Sequence, residues 1–554
     1  MPDITTPAAG RFATHEVTNQ PPPLCGYDCY SSDTALREAV AREGGAWGRD
    51  RLTAYGAIAG GELLDIGFAA NRNAPQLQAF DRFGHRRDAV LYHPAYHRSM
   101  TLAKEHGLHG LSWSVQQRGA QVVRAALFYM HCQAEAGSMC PITMTHASVP
   151  ALRHQPELAD AWLPGILAPV YDPGDTPAAH KVGLTIGMGM TEKQGGSDVR
   201  TNTTTATAVG DGGPGRLHVL VGHKWFMSAP MSDAFLVLAQ AEDGLSCFLL
   251  PRWRDDGTRN TFVIQRLKDK LGDRSNASAE VEFHAAQAFM VGAPGRGVAT
   301  ILDMVAQTRL DCMLGSAGLM RQALVQAIHH CRYRQVFGRR LLDQPLMRNV
   351  LADMALESEA AVALALRLAR AFESDDEHER KLARIATPVG KYWICKRAPT
   401  LIGEAMECLG GNGYVEESIL PRLYRQAPVN SIWEGSGNIQ CLDMLRALSK
   451  DAGCGAALRA ELQTAQGLND AYDAHCRRLQ QALAATDTLT WRARSVGTAI
   501  ALALAAAVLL RADRYGIGAA FCSARLADGC APLFGSLAGE PAPLDVINRA
   551  GVSL

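Results

Sequence analysis

The hydrophobic period of this chain changes twice, and this change constrains the fold more than any other feature. Residues 75–167 lean towards helical spacing, and long helical patterns return after about residue 297, for example over 346–372. Between them, over about 180–290, short β-prone runs such as 235–239 are separated by turns rich in Gly, Asp and Pro. This order predicts a mainly α protein with an antiparallel β domain inserted between two helical bundles.

Four segments follow from these patterns. We expect an N-terminal helical domain over 1–180, a β domain over 181–290, a helical bundle over 291–451 and a helical extension over 452–554. The extension is rich in Ala, Leu and Arg and contains no Lys. Its apolar run, 496–510, is shorter than the roughly 20 residues that cross a bilayer, so we expect a buried helix and no membrane partner.

Charge and cysteine content exclude several classes of protein. Lys and Arg balance Asp and Glu at 55 each among 554 residues, so any site for a polyanion must be a local patch. The 14 cysteines fall singly, without a CxxC pair, which is typical of reduced core residues. The first residues contain no apolar leader segment, and we therefore expect a cytoplasmic protein.

The sharpest motif is the loop 189–198, which reads GMTEKQGGSD and precedes the β region. Gly195 and Gly196 lack a Cβ, so the backbone can come close to a ligand, and the hydroxyls of Thr191 and Ser197 can donate to ring or phosphate acceptors. The spacing fits neither a Walker phosphate loop nor a GxGxxG dinucleotide turn. We interpret the loop as a binding site for a flat ligand.

Five segments resemble the acyl-CoA dehydrogenase family, in the family's order. The loop 189–198 resembles its flavin-binding signature, and 222–228 (GHKWFMS) is similar to the strand that stacks on the isoalloxazine ring. Residues 334–344 resemble the segment that reaches FAD across a subunit interface, and 409–414 (LGGNGY) the turn near the adenine end. Residues 433–438 (WEGSGN) resemble the segment that holds the catalytic base.

The resemblance implies FAD as cofactor and a fold of α bundle, β barrel and α bundle, followed here by a C-terminal helical domain. The residues that it implies for cofactor binding are Met188, Met190, Thr191, Gly196, Ser197, Phe226, Met227, Ser228, Arg334, Phe337, Gln344, Gly410, Gly411, Ser436 and Asn438. Phe226 stands where Trp is common, and Ser436 and Asn438 replace the frequent Thr and Gln. These departures preserve stacking, hydroxyl and amide chemistry and leave the substrate open.

Two segments are closer still to the alkylation-response branch of this family. They are 188–198 (MGMTEKQGGSD) and 271–278 (LGDRSNAS), and the C-terminal extension beyond the usual end of these dehydrogenases agrees with them. This closer resemblance implies a homotetramer that binds double-stranded DNA in the adaptive response to alkylation. It would protect the DNA by shielding it or by destroying the alkylating agent.

Glu434 is the candidate catalytic base. Removing the weakly acidic α-proton of an acyl-CoA thioester requires a carboxylate with a raised pKa in a dry pocket. Glu434 lies between Trp433 and a flexible Gly-Ser-Gly, which suits that task. An acidic residue at this place could equally cap the helix that starts near Asn438, and spacing alone does not decide between the two.

The extension also carries a candidate DNA-binding patch. Between residues 490 and 527 its only acidic residue is Asp513, and its arginines are Arg492, Arg494, Arg511, Arg514 and Arg525. Such a local stripe can bind phosphates without reading sequence, although a solvated surface has the same composition. His93 and His97 share helical spacing but lack a third ligand nearby, so we predict no metal site.

Two alternatives remain open at this stage. The chain could be a metabolic acyl-CoA dehydrogenase whose extension serves only for oligomerisation, with Glu434 as its base. It could also be a cofactor-bound scaffold without catalysis. Turnover of an acyl-CoA would favour the first alternative, and FAD that no acyl-CoA reduces would favour the second.

Overall fold

A computed structural model describes residues 14–512, 515–529, 532–538 and 543–552. Its N-terminal part contains helices α1 (Thr34–Arg42), α2 (Arg49–Ala59), α3 (Glu62–Arg72), α4 (Pro94–Glu105), α5 (Leu111–Ser114), α6 (Ala120–Ala134), α7 (Met139–Leu152) and α8 (Pro156–Leu167). Every residue of α6 is buried, including Arg124, which pairs with Asp311 of the later bundle. The two helical regions therefore share one core.

A β-hairpin interrupts the N-terminal helices, where the sequence indicated helical spacing. Strands β1 (Gln76–Phe80) and β2 (Arg86–Leu91) pair antiparallel. Along β1 exposed and half-buried residues alternate, which is the period of a strand with one face covered. The hairpin packs beside the β domain because Arg86 donates a hydrogen bond to the carbonyl oxygen of Ile264.

The β domain is a closed barrel with two additional strands. Its strands are β3 (Ile186–Gly189), β4 (Thr205–Ala208), β5 (Leu217–Ser228), β6 (Ala234–Ala241), β7 (Gly244–Pro251), β8 (Phe262–Leu267) and β9 (Ser278–Val291). The order β6-β4-β5-β9-β7 returns to β6, while β3 pairs with β6 and β8 with β9. The barrel is antiparallel as predicted except at β6, which pairs in parallel with β3 and, through one residue pair, with β4.

The second bundle surrounds one long helix. Its elements are α9 (Gly297–Tyr333), the hairpin strands β10 (Gln335–Val336) and β11 (Arg339–Arg340), and helices α10 (Pro345–Glu373), α11 (Glu377–Cys408), α12 (Gly411–Tyr414), α13 (Leu420–Asn430) and α14 (Gly437–Lys450). Helix α11 runs through Pro388 and Pro399, although proline in the interior of a helix favours a kink or an end. Packing of α11 against α9, α13 and α14 compensates for the backbone hydrogen bonds that these prolines remove.

The extension is continuous with this bundle. It contains α15 (Ala452–Gln463), α16 (Asp470–Ala484), α17 (Ala493–Arg511), α18 (Ile517–Arg525) and α19 (Pro543–Ala550). Among the described residues α17 is the one helix long and apolar enough to cross a membrane, but most of it is buried inside the protein, against α10, α11 and α14. The predicted buried helix is thus confirmed, and it shares a hydrophobic core with the dehydrogenase-like bundle.

Candidate active site

A buried ion pair anchors the loop after β3. Nζ of Lys224 lies 2.7 Å from Oε1 of Glu192, and neither side chain is accessible to solvent. The Glu192 carboxylate also accepts hydrogen bonds from the backbone N–H groups of Thr203 and Thr204. Although burial opposes the charged form, Lys224 and these donors lower the pKa of Glu192 to about 2. The pair therefore fixes the loop to strand β5.

Tight packing favours glycine at two positions, one against β5 and one within the loop itself. A Cβ at Gly189 would lie 2.5 Å from Sδ of Met227, and a Cβ at Gly196 would lie 2.3 Å from Oγ1 of Thr191. The backbone N–H of Trp225 donates to the carbonyl oxygen of Thr191. The structure thus brings the predicted loop and the predicted stacking strand together.

The last residues of β5 alternate in direction. Phe226 is 51% exposed, Met227 is buried in the barrel core, and Ser228 is half-buried. Alternation is the ordinary geometry of a strand, so Phe226 and Ser228 share one face and Met227 points to the other. Only the backbone of Met227 can therefore contact the cofactor. On the opposite face, Phe226 offers a ring and Ser228 offers a hydroxyl.

The loop that carries Glu434 is held by its carbonyl oxygens. Nζ of Lys391 donates to the oxygens of Trp433 and Gly435, both at 2.6 Å. Nε of Arg309 donates to the oxygen of Glu434 at 3.0 Å, and the amide of Gln440 donates to it at 2.9 Å. These three side chains hold Glu434 in a left-handed backbone conformation, with φ 59°.

The Glu434 side chain points into a buried space. Its Oε2 atom is buried and has no hydrogen-bond partner. Burial raises the pKa of this carboxyl, and the Thr308 hydroxyl with the cations of Lys391 and Arg309 opposes the shift only in part. No side chain caps α14, whose N-cap residue is Ser436, so a capping role for Glu434 is not observed.

The base and the loop after β3 share one apolar cluster. Trp433 packs with Met188 and Met190 against the buried residues between α7, β3 and β6. Trp433 Nε1, like Glu434 Oε2, is buried without a partner. The site thus offers the exposed ring of Phe226, the hydroxyls of Thr191 and Ser228, and these two unpartnered polar atoms. Such a combination fits a flat heteroaromatic group such as a flavin.

The remaining predicted cofactor residues lie on exposed turns. Phe337 is 97% exposed at the tip of the β10–β11 hairpin and has a φ of 52°, which is unusual for a bulky residue. Arg334 donates to the carbonyl oxygen of Asn19, and Gln344 is the N-cap residue of α10. Gly410 and Gly411 are exposed, and a Cβ at either position would meet open space. Ser197 and Ser436 are exposed too.

Two of the predicted DNA-facing arginines lie at the start of α17. Arg494 is exposed, and its Nε donates to Oδ1 of Asn438 at 2.8 Å, so it contacts a predicted cofactor residue. Arg492 donates to two carbonyl oxygens at the C-terminal end of α16. Arg514 lies outside the described residues.

The other two arginines are paired with acids. Arg511 forms an ion pair with Glu461 at 2.8 Å, and Arg525 bridges Asp353 and Glu357. Arg494 and Arg511 lie roughly 25 Å apart along α17, given its rise per residue. The four described arginines therefore do not form one free stripe, and their contact with DNA stays a prediction.

The paired histidines have separate partners. His93 caps α4 through its Nδ1 atom, and Nδ1 of His97 bonds to the Tyr171 hydroxyl. In the part of the chain that the structure describes, no three His, Cys, Asp or Glu side chains are grouped as a metal site would require.

Sequence analysis missed the residues that support the site. Glu192 and Lys224 lie inside quoted motifs, but their pairing joins positions 32 residues apart. Lys391 stands as a lone charge in a buried stretch of α11, and Arg309 lies in the buried part of α9, where Asp311 is already paired with Arg124. That pattern was a usable signal, since an isolated buried charge requires a partner.

Three family models match the chain. The N-terminal domain of the adaptive response protein AidB matches residues 19–173, and the middle and C-terminal domains of acyl-CoA dehydrogenases match 187–286 and 295–449. AidB of Escherichia coli is 51% identical over 476 residues, which cover 85% of this chain and 87% of that protein. The chain belongs to the AidB branch of the acyl-CoA dehydrogenase family.

Other relatives agree with this assignment. Acyl-CoA dehydrogenase family member 11 of Caenorhabditis elegans is 32% identical over 72% of this chain and 66% of its own. The crystal structure of ACDH-11 from that organism, in complex with C11-CoA, has a TM-score of 0.83 at 26% identity and covers 97% of this chain and 93% of its own. An FAD complex from Bacillus anthracis shares the fold at 19% identity, with a TM-score of 0.62 over 75% and 76% of the chains.

The family assignment confirms three predictions. The resemblance to the alkylation-response branch is confirmed, and so is the fold of α bundle, β barrel and α bundle. As a member of this family the chain is a flavoprotein, and its cofactor is FAD.

Proposed function

We propose that this AidB-type protein is an oxidoreductase that removes the α-proton of an acyl-CoA thioester with Glu434. The observation that carries the proposal is the buried, unpartnered Oε2 atom of Glu434, on a loop fixed by Lys391, Arg309 and Gln440. An acyl-CoA ligand in the related C. elegans structure supports the substrate class.

The protein groups have separate tasks in this reaction. FAD, when bound, supplies the acceptor for the hydride that leaves the β-carbon. Oε2 of Glu434 receives the α-proton, and its raised pKa makes it a stronger base than an exposed carboxylate. Trp433 and Met190 exclude water from the carboxyl. Phe226 and Ser228 would hold the ring at the end of β5 while the Glu192–Lys224 pair fixes the loop beside it.

Anaerobic titration of the FAD-loaded protein with acyl-CoA thioesters of increasing chain length tests this proposal. We expect bleaching of the oxidised flavin absorbance in the native protein and at least a 100-fold slower reaction in Glu434→Gln. Glu404→Gln is the matched control, because burial also raises the pKa of Glu404, which lies in α11 away from this loop. Equal bleaching rates in native protein and Glu434→Gln would overturn the assignment.

We further propose that the protein assembles as a homotetramer in the cytoplasm, binds duplex DNA and protects it during alkylation stress. The match to the AidB N-terminal domain and the 51% identity to E. coli AidB support this role. Arg494 is the best-placed described arginine, because its side chain is exposed and its hydrogen-bond partner, Asn438, is a neutral amide. The alternative is a metabolic dehydrogenase without a DNA role.

Salt-dependent retention of duplex DNA separates these alternatives. We expect Arg494→Glu to weaken binding for all sequences alike and to reduce the slope of log affinity against log salt by about one per subunit in contact. Arg82→Glu, an exposed arginine between β1 and β2, is the control. Rapid bleaching by one acyl-CoA, together with no DNA retention, would make the protein a metabolic dehydrogenase.

A further inference from the structure

A chain of hydrogen bonds leads from Lys270 to Ser228. Nζ of Lys270 donates to Oγ of Ser278 at 3.2 Å, and Oγ of Ser278 lies 3.1 Å from Oγ of Ser228. Ser278 is buried and begins β9, opposite Ser228 at the end of β5. The cation therefore lies two hydrogen bonds from a hydroxyl on the cofactor face of the barrel.

The ammonium group of Lys270 gives this chain a direction. Its three donors are used by Oδ2 of Asp273 at 2.7 Å, the carbonyl oxygen of Asn276 at 2.8 Å and Oγ of Ser278. An ammonium has no acceptor, so Ser278 must accept from it. Ser278 then has one proton left, which it can donate to Ser228. The Cys140 thiol also hydrogen-bonds to Ser228, and when that thiol donates, the Ser228 proton is left to point outward.

The segment that holds Lys270 is rigid. It contains the motif 271–278, to which the proposed reaction assigns no task. The backbone N–H of Asp273 donates to Gln426 of α13 at 2.7 Å, and the Ser275 hydroxyl donates to Glu135, after α6, at 2.6 Å. A Cβ at Gly272 would lie 2.3 Å from the carbonyl oxygen of Arg425. Helix α13 and the turn after α6 thus fix the position of Lys270.

We propose that Lys270 is a positioning residue that aligns the Ser228 hydroxyl as a donor towards the flavin. The proposal rests on the proposed function, in which FAD lies against the end of β5. Reduction adds negative charge to the ring, and a donor already aimed at that charge stabilises the reduced form most. The Lys270 cation polarises the two serine hydroxyls in series, which strengthens the last donor. Lys270 therefore raises the midpoint potential of the bound FAD.

The midpoint potential of bound FAD tests the proposal, measured by reductive titration without any acyl-CoA. We expect Lys270→Met and Ser278→Ala each to lower the preference for reduced over oxidised FAD about tenfold, a shift of about 30 mV to more negative potential. Lys381→Met is the control. It removes the cation of another Lys–Asp ion pair, which joins Lys381 of α11 to Asp451. Lys270→Arg should restore part of the potential.

The double variant distinguishes the hydrogen-bond chain from a simple ion pair. If Lys270 acts through Ser278, Lys270→Met adds nothing further in the Ser278→Ala background. Additive shifts, or a normal potential in both single variants, would overturn the proposal. Ser278→Ala keeps the Lys270–Asp273 pair and covers the case in which Lys270→Met fails to fold. The potential is measured without any acyl-CoA, so its value does not depend on whether Glu434 removes a proton, and the two proposals fail separately.

Discussion

Glu434 combines a raised pKa with a left-handed backbone, and both features oppose stability while serving the reaction. Between the ordinary pKa of a glutamate, about 4.3, and the raised pKa in the folded protein, the folded chain binds more protons than the unfolded chain. The free energy of unfolding therefore falls as pH rises through this window. Above its raised pKa, the native protein carries a buried carboxylate with an unpartnered oxygen.

A neutral side chain at position 434 should remove the free-energy cost of burying a charged carboxylate. We expect Glu434→Gln to raise the free energy of unfolding by about 1 kcal/mol at neutral pH and to leave it unchanged below about pH 4. Urea denaturation of the FAD-free protein at both pH values measures the difference. A gain of the same size at low pH would show that burial of the carboxylate is not its cause.

The loop after β3 depends on an element-to-element contact, the Glu192–Lys224 pair. The pKa of Glu192 is held at about 2, so its contribution to stability is present above the ordinary glutamate pKa of about 4.3 and is lost as pH falls towards 2. Because both side chains are fully buried, removing one leaves the other as an unpaired charge.

We therefore expect Lys224→Met to lower the free energy of unfolding by about 3–5 kcal/mol and to release FAD. Adding Glu192→Gln should recover part of that stability, because the unpaired carboxylate is gone. Lys381→Met, at an ion pair accessible to solvent, should cost far less, because water screens that pair. Denaturant midpoints and the ratio of flavin to protein absorbance measure both effects, and equal costs at the two pairs would contradict this account.

The elements that formed as predicted are those with a local signal. The short β-prone runs of 180–290 predicted the strands of the barrel, and the Gly-rich loop 189–198 predicted the cofactor loop, because strand propensity and turn chemistry are properties of a short window. The Glu192–Lys224 pair and the carbonyl contacts of Lys391 were not predictable in this way, since their partners converge only in three dimensions. The parallel pairing of β3 with β6 was not predicted either, because it also joins segments that are distant in the sequence.

For the whole molecule, the β10–β11 hairpin is the surface that most needs a partner. Phe337 is nearly fully exposed and strained, and Leu346 beside it is exposed as well. If this surface covers a partner in the proposed homotetramer, we expect Phe337→Asp to give smaller species and to lower FAD content, because covering one Phe contributes about 1.5–3 kcal/mol. Light scattering with size-exclusion chromatography measures the mass. Phe83→Asp, 70% exposed between β1 and β2, should change neither quantity.

Most of the helices that bury α17 are synthesised before it. Of the described helices that pack on it, α10, α11, α14, α15 and α16 precede it in the chain, and α18 follows. Since synthesis proceeds from the N-terminus, a binding surface for this apolar helix can form before the helix leaves the ribosome. A circularly permuted chain that begins with the extension would reverse this order, exposing α17 to chaperones and membranes before its cover exists.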